Sequence, residues 1–170
     1  MELDYFKECM LQIDSIFYCP NQFVVKNLAE EVQNREYAGG VFQLNQLSIR
    51  FRVAKITPTK IGQFVAFWEK DPLNKNQAFH EKESPDLLVV TTFLGERIGQ
   101  FVFPKGVLIE QHILRTDSQK GKMAMRVYPS WDSPTSKQAQ VTQKWQLDYF
   151  VEFTDNRDSF KARLEALYGR

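Results

Sequence analysis

Four segments of the chain interleave bases with aromatic rings and with Gln or Thr. They are Phe51-Arg-Val-Ala-Lys-Ile-Thr-Pro-Thr-Lys60, Gly99-Gln-Phe-Val-Phe-Pro-Lys105, Lys120-Gly-Lys-Met-Ala-Met-Arg-Val-Tyr-Pro-Ser-Trp131 and Lys137-Gln-Ala-Gln-Val-Thr-Gln-Lys-Trp-Gln146. Bases contact phosphate oxygens, Gln and Thr hydrogen-bond sugars and base edges, and an exposed ring stacks on a nucleobase. The side chains such binding would draw on are Arg52, Lys55, Lys60, Lys105, Lys120, Lys122, Arg126, Tyr128, Trp131 and Lys137. The competing reading is a sheet with buried rings and solvated lysines. Nucleophilic chemistry lacks comparable support. There is no Gly-x-Ser-x-Gly, no Gly-rich phosphate loop and no dinucleotide fingerprint. His80 and His112 read as surface residues, and neither is spaced with Cys9 or Cys19 as zinc ligands would be, so no metal site is expected.

Composition narrows the partners further. The chain has 170 residues, 43% hydrophobic and 25% charged, the size and character of one globular domain. Net charge is only +1, but it is unevenly spread. Residues 1–50 carry seven acids against four bases, residues 51–145 fourteen bases against nine acids, and residues 146–170 five acids against four bases. A basic middle on a neutral protein suits a polyanion. The longest uncharged apolar run is too short to span a bilayer, and the acidic N-terminus is not a signal peptide. A cytoplasmic protein with reduced thiols and no membrane partner is expected.

The elements that must position these residues are readable in outline. Leu3, Phe6, Met10, Ile13 and Phe17 recur at spacings of three and four, the stripe of an amphipathic helix over 2–17. A second helix is expected over Lys26–Arg35. Ile49, Phe51 and Val53 alternate with Arg50 and Arg52, a strand with one apolar and one basic face. Gln63–Trp68 reads as a strand, residues 69–84 as a loop, and Asp86–Leu94 as a central strand buried on both faces. A hairpin returns along Ile98–Phe103, Gly106–Gln111 forms a helical turn or two, and Met123–Tyr128 is another strand. In that strand Lys122 and Arg126 share one face while Met123, Met125 and Val127 point to the core. Ser133-Pro134 is expected to start a helix reaching Phe153, with Trp145 in the core. Residues 157–168 form the last helix. One α+β domain results, with a mixed, mostly antiparallel central sheet flanked by helices.

The four segments also carry a family resemblance, which covers roughly residues 35–153. Phe51-Arg-x-Ala-Lys-Ile-Thr-Pro-Thr-Lys-x-Gly-Gln-Phe-Val, Gly99-Gln-Phe-x-Phe-Pro-Lys, Lys120-Gly-Lys-x-Ala-x-Arg-Val-Tyr-Pro and Lys137-Gln-Ala-x-x-Thr-Gln-x-Trp-Gln resemble the MepB-like family of small bacterial cytoplasmic proteins. That family is similar in fold to the restriction-endonuclease-like PD-(D/E)xK nucleases. The resemblance implies a nuclease-type core over about 25–153 and nucleic acid as the first partner to consider.

The nuclease pattern can be tested residue by residue. Pro85-Asp86 precedes an apolar strand, as the PD element should. With the turn centred on Glu96-Arg97 and Leu94 facing Gly99, Leu88 lies opposite Lys105, and Asp86 shares a face with Lys105. The acid two residues before that lysine is missing: the position is Phe103, which cannot ligate Mg²⁺. Asp86, Phe103 and Lys105 therefore mark a degenerate site, at which Lys105 is expected to contact phosphate. The expected function is DNA and RNA binding, single strands favoured, without a cofactor. The alternatives are an active Mg²⁺-dependent nuclease rebuilt from Asp86, Glu110 and Glu69, and a ligand- or protein-binding module unrelated to nucleic acid.

Overall fold

The computed structural model describes residues 4–169. Glu2 and Leu3, which open the expected first helix, lie outside the described residues. Helix α1 (Tyr5–Ile13) starts where the Asp4 carboxylate accepts the Lys7 amide hydrogen at 2.8 Å, satisfying a first-turn donor. It continues as a π-helical turn, Asp14–Tyr18, and buries Phe6, Met10, Ile13, Phe17 and Tyr18. Strand β1 (Val25–Glu30) follows, where the sequence pattern suggested a helix. Its backbone pairs antiparallel with β2 (Gly40–Leu44), and Asn27, at φ +60°, bulges it between Lys26 and Ala29. Asn tolerates that left-handed conformation better than most residues.

Strand β3 (Leu47–Val53) is succeeded by β4 (Lys55–Ile56), β5 (Gln63–Ala66), β6 (Glu69–Lys70) and β7 (Asn76–Gln77). The stretch read as a loop thus holds a small β6–β7 hairpin. Strand β8 (Leu87–Leu94) is buried on both faces, as its apolar run requires. Then come β9 (Arg97–Pro104), α2 (Lys105–Glu110), β10 (Ala124–Val127), α3 (Lys137–Leu147), β11 (Phe150–Glu152) and α4 (Arg157–Tyr168). The main sheet runs β1-β2-β3-β8-β9-β11, antiparallel throughout except for the parallel pair β3–β8. The fold is α+β with a mixed, mostly antiparallel sheet. A second sheet, β10-β5-β4, lies over it.

Two apolar clusters sit on opposite faces of the main sheet. On one, α1, the π turn and α4 cover Ile49, Phe51, Val89 and Val102. On the other, Leu88, Val90, Phe101 and Phe103 meet Val65, Val127, Leu108 and Trp145 from the second sheet, α2 and α3. Helix α3 is shorter than the expected 133–153. The Ser136 hydroxyl, not that of Ser133, caps it by accepting the Ala139 amide hydrogen at 3.1 Å. Past Leu147 the chain turns into β11, which pairs Phe150 with Phe101 on the edge of β9, a partner no local pattern reveals.

The β8–β9 turn differs from the expected one. Leu94 pairs with Arg97 across two residues, with Gly95 at φ +59°, the conformation glycine supplies cheaply in a tight hairpin. Leu88 therefore lies opposite Phe103, not Lys105. A shift of two residues preserves faces. Asp86 and Lys105 still stand at the same end of the hairpin, where the Lys105 N–H donates to the Asp86 carbonyl at 3.1 Å.

Candidate nucleic-acid interface

Strand β10 pairs with β5 on one side and, among the described residues, has no strand on the other. Helix α3 takes that place with two glutamines. Gln146, fully buried, accepts the Tyr128 amide hydrogen at 2.9 Å through Oε1 and donates to the Arg126 carbonyl at 3.0 Å through Nε2. Gln143 Nε2 donates to the carbonyls of Tyr128, Pro129 and Asp132. Gly62, at φ +86°, lets the Tyr128 ring lie against the backbone; a Cβ there would meet the ring at 2.7 Å. Strand, ring and helix are thereby fixed relative to one another.

A trough follows from this arrangement. Between β10 and α3 lies a depression of about 390 Å³, walled by Lys60, Lys122, Arg126, Tyr128, Gln138, Thr142 and Trp145. It adjoins one of about 300 Å³ beyond Tyr128, bordered by Lys60, Thr135 and Ser136. On the far side of Trp145 it meets an open depression of about 750 Å³ with Lys137, Lys144, Gln111 and Asp148. Among the described residues, five bases line the three depressions against the single acid Asp148. Lys60 and Lys122 are exposed and have no ion-pair partner among the described residues. Such a surface offers charge for phosphates, two partly open rings for stacking and amides for sugar or base edges.

The expected binding residues divide on this geometry. Lys60, Lys122, Arg126, Tyr128 and Lys137 come together along the trough. Arg126 is partly engaged: its Nη1 donates to Thr57 Oγ1 at 3.0 Å and to the Gly62 carbonyl at 3.2 Å, tying β10 to the 57–62 loop. Lys120 is exposed, Lys105 is half-buried at the start of α2, and Lys55 approaches Glu36 and the Tyr37 ring; none of them lines the trough. Trp131 packs edge-on against Phe150 beneath the Arg97 guanidinium, away from the trough. Met123 is exposed, although it was expected in the core. His80 is largely covered: its Nδ1 accepts the Lys82 amide hydrogen and its Nε2 meets Asp117.

Arg52 is not available to a ligand. It has 0% exposure, because the second sheet covers the face of β3 expected to meet solvent. Its Nη1 donates to Glu31 at 2.7 Å, Nη2 to Asn34 and Nε to the Ala66 carbonyl. Burial pushes the Glu31 carboxyl up, but the guanidiniums of Arg52 and Arg50 outweigh it and hold the group below its ordinary value. Alternation alone could not distinguish a solvated basic face from one roofed by another sheet.

The degenerate-site positions are equally defined. Phe103 is fully buried, stacked on Phe101 and packed against Trp145. Asp86 Oδ2 accepts from the Ser48 amide at 2.9 Å and from its hydroxyl at 3.0 Å, clipping the parallel strands β3 and β8. Glu69 pairs with Arg115 and Gln77, while Glu110 is exposed at the end of α2. Among the described residues, no three His, Cys, Asp or Glu side chains gather as a metal site would need. Asp86, committed to Ser48, and the buried Phe103 do not together make a divalent-cation site. An apolar cavity beside Arg50 and Phe79 holds about 20 Å³, room for one water-sized body.

Lys144, Gln138, Thr142 and Gln111 line the trough as well, and Trp145, expected in the core, is half-open to it. All but Gln111 belong to the fourth basic–aromatic segment, where Gln138, Thr142 and Trp145 recur at helical spacing on one face.

The architecture is an α+β sheet protein with a basic trough on one face. The MepB-like family model matches residues 31–152, and the chain belongs to that family. The structure is similar to the crystal structure of MepB, with a TM-score of 0.78 and 38% identity over 88% of this chain and 99% of that one. No curated protein matches the chain. Among the described residues no helix is long and apolar enough to cross a membrane.

Proposed function

We propose that the protein binds DNA and RNA, single strands in preference, in the trough between β10 and α3. The reading rests on five bases and two partly open rings that, among the described residues, line three adjoining depressions with one acid. Phosphate neutralisation supplies most of the affinity, and Tyr128 and Trp145 take bases that only an unpaired strand presents. The core corresponds in this reading to an endonuclease-like fold that has lost its cleavage site, and no cofactor takes part. Reduced, unpaired Cys9 and Cys19 suit a cytoplasmic setting.

The test is fluorescence anisotropy with labelled single-stranded DNA, single-stranded RNA and duplex, across a salt series. Binding in the micromolar range is expected, tighter for single strands, with a log–log salt slope of about three to five. A flat salt response, or no binding at low ionic strength, would overturn the proposal.

A further inference from the structure

Large apolar side chains stand uncovered on the first elements of the chain. Leu11 on α1 is 64% exposed, and Val24, just before β1, and Leu28, within it, are 52% and 41% exposed. Between them runs a groove of about 190 Å³, formed by Met10 and Leu11 of α1 and Val25 and Leu28 of β1. Lys7 and Asp14 flank it, one turn before and one turn after Leu11. Patches of this kind on a soluble fold mark contact surfaces.

We propose that a second copy of this chain docks here, α1 against α1 in antiparallel about a two-fold axis near Leu11. The argument for a second copy is charge self-complementarity. A two-fold at Leu11 carries Lys7 onto the partner's Asp14 and Asp14 onto the partner's Lys7, while the two Leu11 side chains meet across the axis and cover the grooves beside them. An isologous contact of this form closes at two copies. Lys7 lies 4.0 Å from Asp4 in its own chain, a half-exposed pair that leaves its ammonium free to take a second acid.

Sheet extension is the other way two copies could meet, since β1 is the edge of the main sheet. The Asn27 bulge interrupts its row of hydrogen-bonding groups and opposes that mode. The helix face is left. It belongs to the layer on the opposite side of the sheet from the trough, so the inference does not rest on nucleic-acid binding.

Sedimentation of the full chain from about 1 to about 100 µM tests it, because a dimer's mass is set by protomer concentration. The mass is expected to rise from 19.9 kDa toward twice that value. Leu11→Glu, at an exposed position, should give a monomer with unchanged circular dichroism. Lys7→Glu and Asp14→Lys should each weaken association by about fivefold, and the double variant should recover it. A monomer at every concentration, a dimer indifferent to Leu11→Glu, or a double variant weaker than both single ones would overturn the proposal.

Discussion

Gln146 Oε1 and the Tyr128 amide are joined at 2.9 Å, so the open side of β10 is closed by a helix side chain instead of a strand. Replacing Gln146 by Ala leaves the Tyr128 N–H and the Arg126 carbonyl without partners. Buried groups stranded in this way cost about 2 kcal/mol together, which chemical denaturation should register as an earlier midpoint. Affinity for single-stranded oligonucleotides should fall as well, because the Tyr128 ring loses its footing. An unchanged midpoint would show that water replaces the amide freely.

Lys60 and Lys122 are expected to carry phosphate contacts, and the pair of substitutions to Ala should lower the salt slope by about two units. Lys75→Ala, at an exposed position outside the trough, serves as control and should bind as the parent does. Equal salt slopes in both proteins would move the binding surface elsewhere. Arg126→Ala should behave differently from the lysine variants: because Nη1 fastens the 57–62 loop, it should lower stability as well as affinity.

No cleavage is expected when the protein is incubated with nucleic acid and Mg²⁺ or Mn²⁺. Asp86 is occupied by Ser48, and Phe103, where the PD-(D/E)xK pattern would need an acid, is a buried apolar ring. Asp86→Asn should therefore leave binding unchanged, with a modest loss of stability from the weakened clip between β3 and β8. Cleavage that disappears in this variant would restore the nuclease alternative.

Glu31 sets an acid limit on stability. Its folded-state carboxyl titrates below the ordinary 4.5. The ionised form thus favours the folded state above about pH 4.5, and that contribution is lost as pH falls through the lower folded value. Glu31→Gln leaves the Arg52 guanidinium buried without its counter-charge, a loss of about 3 kcal/mol at neutral pH. Denaturant midpoints measured from neutral to acid pH should show this variant less stable and less pH-dependent than the parent.

How much of this was legible beforehand depends on whether the signal was local. The stripe of α1, the doubly buried β8 and α4 were readable from spacing, and the grouping of Lys122, Arg126 and Lys137 followed from their nearness in the chain; that Lys60 joins them across β5 and β10 did not. Nor were Arg52 and β1 readable. Arg52 alternates as a solvated base would, and only the second sheet, assembled from residues 55–66 and 124–127, buries it. The 26–30 run is a strand because β2 lies beside it, and β11 forms because β9 has a free edge. In each case the deciding partner is distant in sequence.

Strands β3 and β8 are parallel neighbours, yet β4 to β7 lie between them in the chain, and β5 finds its second partner only at β10. The trough therefore closes a loop of long sequence separation. Lys60 emerges early in synthesis, but its wall is complete only after residues 124–146 have followed it. Such non-local closures form slowly, because their entropy is lost before contacts reward it. The basic lysines of the middle segment remain on an unfinished surface until α3 arrives, so the trough is among the last parts of the molecule to take shape.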